Sequence, residues 1–196
     1  MIYDRWTLHV DKVTSDFLRV FGSLSLTDLN WRPRADAWSI AQNIDHLIIL
    51  NNSYFPLVNG LRTGEIKPHF ITKFKFVVDR AGQYLLEGVQ SAPMKKFKTL
   101  PMWQPRKTVS DKLFLEEFEQ HQESLKKLIA DSYDLLDKEA VIFSPANRFI
   151  VYRLSTAFDI LLAHEKRHFE QAAGVLALLE HKMATSRLRP QLQLPS

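Results

Sequence analysis

The sequence predicts an all-α protein, a four-helix bundle with a long crossover between its second and third helices. Four long segments carry apolar residues at spacings of three and four, the period of an amphipathic helix. No segment shows the clear alternation of polar and apolar residues that is typical of a strand. With 196 residues, 45% of them hydrophobic, the chain can bury a core of its own. We therefore expect one helical domain over residues 1–182 and a flexible tail over residues 183–196.

The first helix is predicted over residues 3–21, and Gly22 behind it is a typical stop residue. A polar turn over residues 26–30 leads to Pro33, which excludes a continuation of the helix. The apolar stripe of this first helix consists of Trp6, Val10, Val13, Phe17, Val20 and Phe21.

The second helix is predicted to begin near Ser39 and to run through residue 61. Ser39 and Gln42 match a capping box, in which each side chain binds the backbone N–H of the other residue. Asp36 is an alternative cap. The apolar stripe behind the cap is Ile40, Ile44, Leu47 and Ile48.

The crossover follows, with one modest helix predicted over residues 74–88 and irregular, proline-containing chain over residues 91–107. From Arg62 to Lys107 it carries ten basic residues and three acidic ones. Two interpretations stay open. The charge belongs either to a solvated connection or to a basic rim that attracts an anionic substrate to a pocket.

The third helix is predicted over residues 109–132, with Thr108 or Ser110 as its cap, and a loop containing Pro145 follows. The fourth helix is predicted over residues 155–180. Its inner stripe is Ala157, Leu161, His164, His168, Ala172 and Val175.

Composition excludes several classes of function. The chain has no cysteine, so disulfides, thiolate metal ligands and a cysteine nucleophile are excluded. The first residues carry charges where a signal peptide has an apolar core, and no segment approaches the ~18–20 apolar residues of a membrane span. The net charge of +4 comes without a nucleic-acid recognition motif. We expect a cytoplasmic protein with no membrane or nucleic-acid partner.

The strongest chemical signal is the pair His164 and His168 on the apolar stripe of the fourth helix. Residues four apart lie on one helix face about 6 Å apart, so both imidazoles can reach one ion. The alternative is a rotated stripe that leaves both on the surface. If a facing helix contributes His46, the set is three imidazoles with open coordination positions, as in a catalytic metal site. Spacing alone leaves His46 open between a ligand and an ordinary helix residue.

The other histidines carry weaker signals. His121 lies with apolar residues on the third helix. Three interpretations stay open: a fourth ligand, an acid or base near the site, or a core histidine. The interpretation of His9, His69 and His181 is that they lie on the surface or in loops.

The run from His164 to His168 also matches H-E-x-x-H, the zinc metalloprotease motif with glutamate as general base. Only 28 residues follow His168, and the extended form of the motif fails at Gln171 and Gly174. A protease is therefore disfavoured. Glu165 is interpreted as a flanking residue at the boundary of the helix.

Four short runs together resemble the DinB/YfiT-like superfamily. They are Trp31-Arg32-Pro33, Ala37-Trp38-Ser39-Ile40-Ala41-Gln42, Asp45-His46-Leu47, and His164-x-x-x-His168-x-x-Gln171. The resemblance implies a four-helix bundle of that topology and one divalent metal ion, nickel or zinc, held by His46, His164 and His168.

Relatives of this kind include thiol S-transferases that use bacillithiol, mycothiol or glutathione, and an isomerase of the maleylpyruvate type. The resemblance thus implies a metal-dependent thiol S-transferase or related hydrolase acting on small electrophiles, with an anionic small molecule as one substrate class. Without cysteine, the chain would need a low-molecular-weight thiol as co-substrate.

Alternatives stay open. One is a non-catalytic, stress-related bundle that holds metal for stability or sensing, and another is a bundle without metal. Asp45 and Gln171 either orient the histidines or their waters, or lie on ordinary helix surface. A homodimer is also open, and no general base is assigned.

Overall fold

The computed structural model describes residues 4–66, 74–90, 99–110 and 113–188. Its helices are α1 (Asp4–Phe21), α2 (Leu26–Asn30), α3 (Ile40–Asn52), α4 (Phe55–Thr63), α5 (Lys75–Gln90), α6 (Phe114–Ala130), α7 (Tyr133–Asp137) and α8 (Leu154–Leu188). A 3₁₀ turn covers Pro101–Trp103, and two strands are β1 (Val141–Ser144) and β2 (Asn147–Arg153). The predicted all-α class is confirmed, with a small sheet added.

The bundle is formed by α1, α3, α6 and α8, which pack against one another around the core. The long connection between α3 and α6 carries α4 and α5, and α5 packs on the outside of α8 and β2. The two helices that carry the predicted histidines, α3 and α8, therefore face each other directly.

The start of the second predicted helix is confirmed, whereas its length is wrong. Ser39 caps α3, and both hydrogen bonds of the capping box to Gln42 are present. The helix ends at Asn52 and a separate helix, α4, begins at Phe55. Pro56 lies at the start of α4 and cannot donate a backbone hydrogen bond to the preceding turn, so one continuous helix is interrupted there.

The first helix ends as predicted. Its last residue is Phe21, and a side chain on Gly22 would place Cβ only 2.4 Å from the carbonyl oxygen of Leu18. The polar turn predicted over residues 26–30 is instead a single helical turn, α2, capped by Ser25.

The start and caps predicted for the third helix are wrong. The helix begins at Phe114 rather than at residue 109, and neither Thr108 nor Ser110 caps it. The reason is a long-range contact. The backbone N–H and C=O of Val109 both bind the side-chain amide of Asn30, which withdraws this residue from any helical ladder.

The expectation of no strand is also wrong. β1 and β2 form an antiparallel hairpin around Pro145, and Tyr152 of β2 is buried with its hydroxyl 2.9 Å from that of Tyr54. The strands are rich in β-branched and aromatic residues, as is usual for strands. They are too short for alternation to stand out in the sequence.

Helix α5 confirms the helix predicted in the crossover. It approaches α8 closely at Gly82, where a Cβ would lie 2.9 Å from Cγ2 of Thr156. At the other end of the chain, α8 continues to Leu188, so the tail predicted from residue 183 is helical in its first six residues. Residues 189–196 of that prediction lie outside the described residues. Within the described part, none of the helices has the length and apolarity needed to cross a membrane.

Candidate metal centre

The structure brings the three predicted histidines together. His46 comes from α3, and His164 and His168 come from successive turns of α8. Each offers a ring nitrogen, and these nitrogens all lie within 4.8 Å of one another. The Nε2 atoms of His46 and His164 are 3.0 Å apart. We call these three residues the histidine cluster.

Hydrogen bonds on the outer side of the cluster hold two of the rings. The Nδ1–H of His46 donates to the backbone carbonyl of Trp103 at 2.6 Å, and the Nδ1–H of His168 donates to Oδ1 of Asn43 at 2.8 Å. A carbonyl oxygen can only accept, so each neutral ring keeps its proton on Nδ1. The Nε2 of both rings therefore carries a lone pair.

The local structure of α3 orients Asn43. Its Nδ2 donates to the backbone carbonyl of Ser39 at 2.8 Å, at the capped start of the helix. This bond identifies which end of the amide is nitrogen, and it leaves Oδ1 to face His168. The residue that caps the helix and the acceptor that orients His168 are thus connected by one hydrogen bond.

Asp45 positions the carbonyl that binds His46. This buried carboxylate accepts from the backbone N–H of Arg106 at 2.6 Å and from its Nε at 2.8 Å. Arg106 follows the turn containing Trp103, whose indole N–H donates to Ser53 of the α3 end at 3.2 Å. Of the two roles left open for Asp45, the structure supports orientation of a histidine, through the segment that Asp45 holds. Gln171, the other candidate, is partly buried.

Burial makes the imidazoles neutral. His46 and His168 are only 3% and 4% exposed, and His164 is half-buried. Loss of solvent is the main cause that lowers the pKa of all three, and it takes the pKa of His164 to about 3. The charge of Arg167 lowers the pKa of each one further. Neutral imidazole is the form that binds metal.

An aromatic side chain covers one side of the cluster. The indole of Trp38 lies 4.9 Å from the ring of His46 and 5.8 Å from that of His168, and it is nearly parallel to the latter. Packing of this kind restricts the rotation of both imidazoles and limits the access of water from that side.

The arrangement fits a divalent metal ion. Two nitrogens bound to one ion at about 2.0–2.1 Å are roughly 2.9–3.4 Å apart, and the 3.0 Å between His46 and His164 lies in that range. The lone pairs on Nε2 of His46 and His168 supply the donors, and their outer hydrogen bonds are the usual companions of metal-binding histidine.

The sequence suggested that Glu165 flanks the helix at its boundary. The structure instead places it inside α8 and in the core. It is fully buried, and its Oε1 accepts from Nδ2 of Asn51 at 2.9 Å. Gln122 of α6 is a second neighbour of this carboxyl, whose pKa burial raises to about 7. We call Asn51, Gln122 and Glu165 the amide–carboxyl cluster. It lies in the interior beside the histidine cluster but contributes no ligand to it.

His121 is a core histidine and not a fourth ligand. It is 7% exposed, packs against Phe55 and is absent from the histidine cluster. Loss of solvent lowers its pKa to about 4. His181 is exposed, as predicted, and His69 lies outside the described residues. His9, predicted at the surface, is partly buried, and its Nε2 is enclosed without a partner among the described residues.

Several described basic residues of the crossover have structural roles. Arg106 binds Asp45 and Glu117, while Arg62 donates to the backbone carbonyl of Asp131 at 2.8 Å. Lys75 lies 3.7 Å from a carboxylate oxygen of Glu139. Lys67, Lys73, Lys95, Lys96 and Lys98 lie outside the described residues, so the choice between a solvated connection and a basic rim stays a prediction.

Asn43, Trp103 and Arg167 were not among the residues predicted for the site. Asn43 could have been found, because it lies one turn before His46 on the same helix. Trp103 contributes a backbone carbonyl, which any residue could supply, so its identity carries no signal. Arg167 lies outside the apolar stripe predicted for α8, yet it is half-buried.

The fold and the site define a helical-bundle protein with a three-histidine cluster of the kind that can hold a metal ion. The family model of the DinB superfamily matches residues 9–172, which is most of the chain and includes all three histidines, and the chain belongs to this superfamily. The resemblance of the short motifs is thereby confirmed. Neither a curated protein nor a solved structure matches the chain.

Proposed function

We propose that this protein is a divalent-metal-dependent enzyme, a thiol S-transferase or related hydrolase that acts on small electrophiles at the histidine cluster. His46, His164 and His168 would hold the ion, and nickel and zinc both suit imidazole ligands. The observation that carries the proposal is the pair of outer hydrogen bonds that leave lone pairs on Nε2 of His46 and His168.

The number of ligands favours catalysis over a structural role. Structural zinc sites are usually closed by four protein ligands, whereas catalytic sites use three and keep a position open. Among the described residues, no fourth histidine, aspartate or glutamate joins the cluster. A bound divalent ion would lower the pKa of a water or thiol that occupies the open position.

The chain's own residues prepare the site in three ways. Asn43 and the carbonyl of Trp103 hold two imidazoles in one tautomer and one orientation. Trp38 packs on two of the rings and limits water on that side. Because the ligands are neutral, they leave the full charge of the ion to act on what binds beside them.

The thiol has to come from solution, because the chain has no cysteine. A thiol of low molecular weight, such as glutathione or bacillithiol, is the co-substrate of the proposal, with a small electrophile as the acceptor. We place this chemistry in the cytoplasm, where such thiols are kept reduced.

The first test is the metal content of protein purified without a metal-affinity tag, followed by zinc or nickel loading. We expect about one equivalent per chain in the wild type and loss of that equivalent in His46→Ala and in His164→Ala. The loaded wild type is then screened with model electrophiles and each thiol.

Two outcomes would count against the proposal. If the loaded wild type turns over no electrophile with any thiol while it still holds one equivalent of metal, the protein is a non-catalytic metal-binding bundle. If the wild type holds no metal even after loading, the assignment of the histidine cluster as a metal site is wrong.

A further inference from the structure

The described residues enclose a surface cleft of about 740 Å³ between α1, the end of α5 and the middle of α8. The three histidines do not line it. Trp6, Leu86, Val89 and Leu162 give it an apolar wall, and the size lies within the range usual for sites that bind small organic molecules.

Charged residues line the rest of the cleft, and most of them are already paired. Arg5 and Asp159 form an ion pair of 3.0 Å, and the indole N–H of Trp6 donates to the same carboxylate at 2.8 Å. Lys166 and Glu170, both exposed, lie 4.0 Å apart. Each carboxylate in the lining thus has a basic neighbour.

Arg167 is the exception among the cations of the cleft. No carboxylate of the described residues lies within ion-pair distance of it, and its Nε is enclosed without a hydrogen-bond partner there. A half-buried guanidinium without a neighbouring carboxylate carries a desolvation cost that a bound anion would relieve. The planar group offers two parallel N–H donors to a carboxylate.

A second unpartnered polar group lines the same cleft. His9 lies on α1, on the other side of the cleft from α8, and its Nε2 is enclosed without a partner among the described residues. Arg167 and His9 thus bring two nitrogen-containing side chains from two different helices to the lining of one cavity.

Arg167 also links the cleft to the histidine cluster. It is adjacent to His168 in sequence, and its charge is close enough to lower the pKa of all three clustered histidines. A molecule whose anionic group bound Arg167 would lie along α8, the helix that also carries His164 and His168. Its apolar part would contact the wall of the cleft.

We propose that the cleft binds a small organic anion with an apolar body, through the guanidinium of Arg167 and the imidazole of His9. The inference rests on the proposed function, for which it names the substrate class. It differs from the basic rim considered for the crossover, because none of the described basic residues of residues 62–107 lines the cleft.

The test is calorimetric titration with 1-naphthoate and with 1-naphthamide, which has nearly the same shape but no charge. Each probe is titrated into zinc-loaded and into chelator-treated protein, so that carboxylate binding to a metal is separated from binding at Arg167. We expect naphthoate to bind about tenfold tighter than naphthamide in both forms, because bonds between charged groups exceed neutral ones by about that amount.

Substitutions then locate the anion. Arg167→Met should remove the preference for naphthoate and leave the affinity for naphthamide within about twofold, while His9→Leu should reduce the preference in part. The matched control is Lys166→Met, which removes the same charge from the neighbouring residue of the same cleft and should keep the preference. Far-UV circular dichroism and melting temperature show whether each variant is folded, and Arg167→Lys keeps the charge if Arg167→Met is not.

The inference is overturned if the two probes bind equally, if neither binds at millimolar concentration, or if Lys166→Met loses as much as Arg167→Met. If the chelator-treated protein prefers the anion but the thiol-transfer screen fails, the proposed function is wrong and the anion site stands. The reverse result, metal-dependent transfer without anion preference, would keep the function and remove this substrate class.

Discussion

The histidine cluster lies between α3 and α8 and the amide–carboxyl cluster lies between these two helices and α6, yet they are organised in opposite ways. In the first, polar partners lie outside the rings, and two lone pairs are left at Nε2. In the second, Asn51 and Glu165 bind each other and each keeps one oxygen without a partner among the described residues. Burial alone does not identify a site. A site is identified by the direction in which the hydrogen-bond partners outside the rings turn the free lone pairs.

The largest expected effect separates the clusters by metal binding. Zinc at a hundred times its dissociation constant should stabilise the wild type by about 2.7 kcal/mol, because it binds only the folded chain. His168→Ala should lose this stabilisation. His121→Met, which replaces a buried histidine outside the cluster, should keep it. The measurement is the melting temperature with and without zinc, and equal shifts in the two variants would show that the histidine cluster is not the site.

An effect of similar size concerns acid stability and tests His121. Its pKa is about 4 in the folded protein and about 6.5 when unfolded, so between these values only the unfolded chain binds the proton. Stability is therefore lost as the pH falls from 6.5 towards 4, by about 3 kcal/mol from this residue. Urea unfolding across that range should show a shallower loss in His121→Met, while His181→Met, at an exposed position, should follow the wild type. A wild-type pH slope in His121→Met would contradict the assignment.

Two asparagines of α3 allow a matched comparison of the clusters. Asn43 binds His168, and Asn51 binds Glu165. Asn43→Ala should weaken zinc binding by about 10–100-fold, because the imidazole loses the acceptor that orients it. Asn51→Ala should leave zinc affinity within about threefold and instead lower the free energy of unfolding by about 1–3 kcal/mol. Competition with a zinc-binding dye gives the affinities, and the reverse order would mean that the amide–carboxyl cluster supports the metal.

The smallest effect tests Asp45, whose carboxylate holds the segment of Arg106 and Trp103 and so positions the acceptor of His46. Asp45→Asn should lower zinc affinity by about threefold to tenfold, less than the loss of a direct partner of a ligand. Asp131→Asn, which removes an ion pair with Lys127 on the surface, is the control and should have no effect. An unchanged affinity in Asp45→Asn would limit this residue to a structural role.

Much of the helical layout could be predicted from the sequence, because its causes are local. The period of the apolar residues predicted α1 and α8, and the pair Ser39 and Gln42 predicted the start of α3 through hydrogen bonds three residues apart. Errors occurred where a distant group intervened. Val109 leaves the helical path because Asn30 binds its backbone, and no pattern near Val109 reports that contact.

The predictions about the site follow the same division between local and long-range causes. The sequence by itself determined that His164 and His168 lie on one face of a helix, because the distance between positions four apart is a property of the helix. Tertiary structure decided the rest. It brings His46 to the pair and supplies the acceptors at Asn43 and Trp103. It also buries Glu165 and leaves Arg167, beside a cleft, without an ion-pair partner among the described residues. Each depends on the packing of α3, α8 and the crossover. That packing is set by contacts between residues far apart in the chain, which local periodicity does not record.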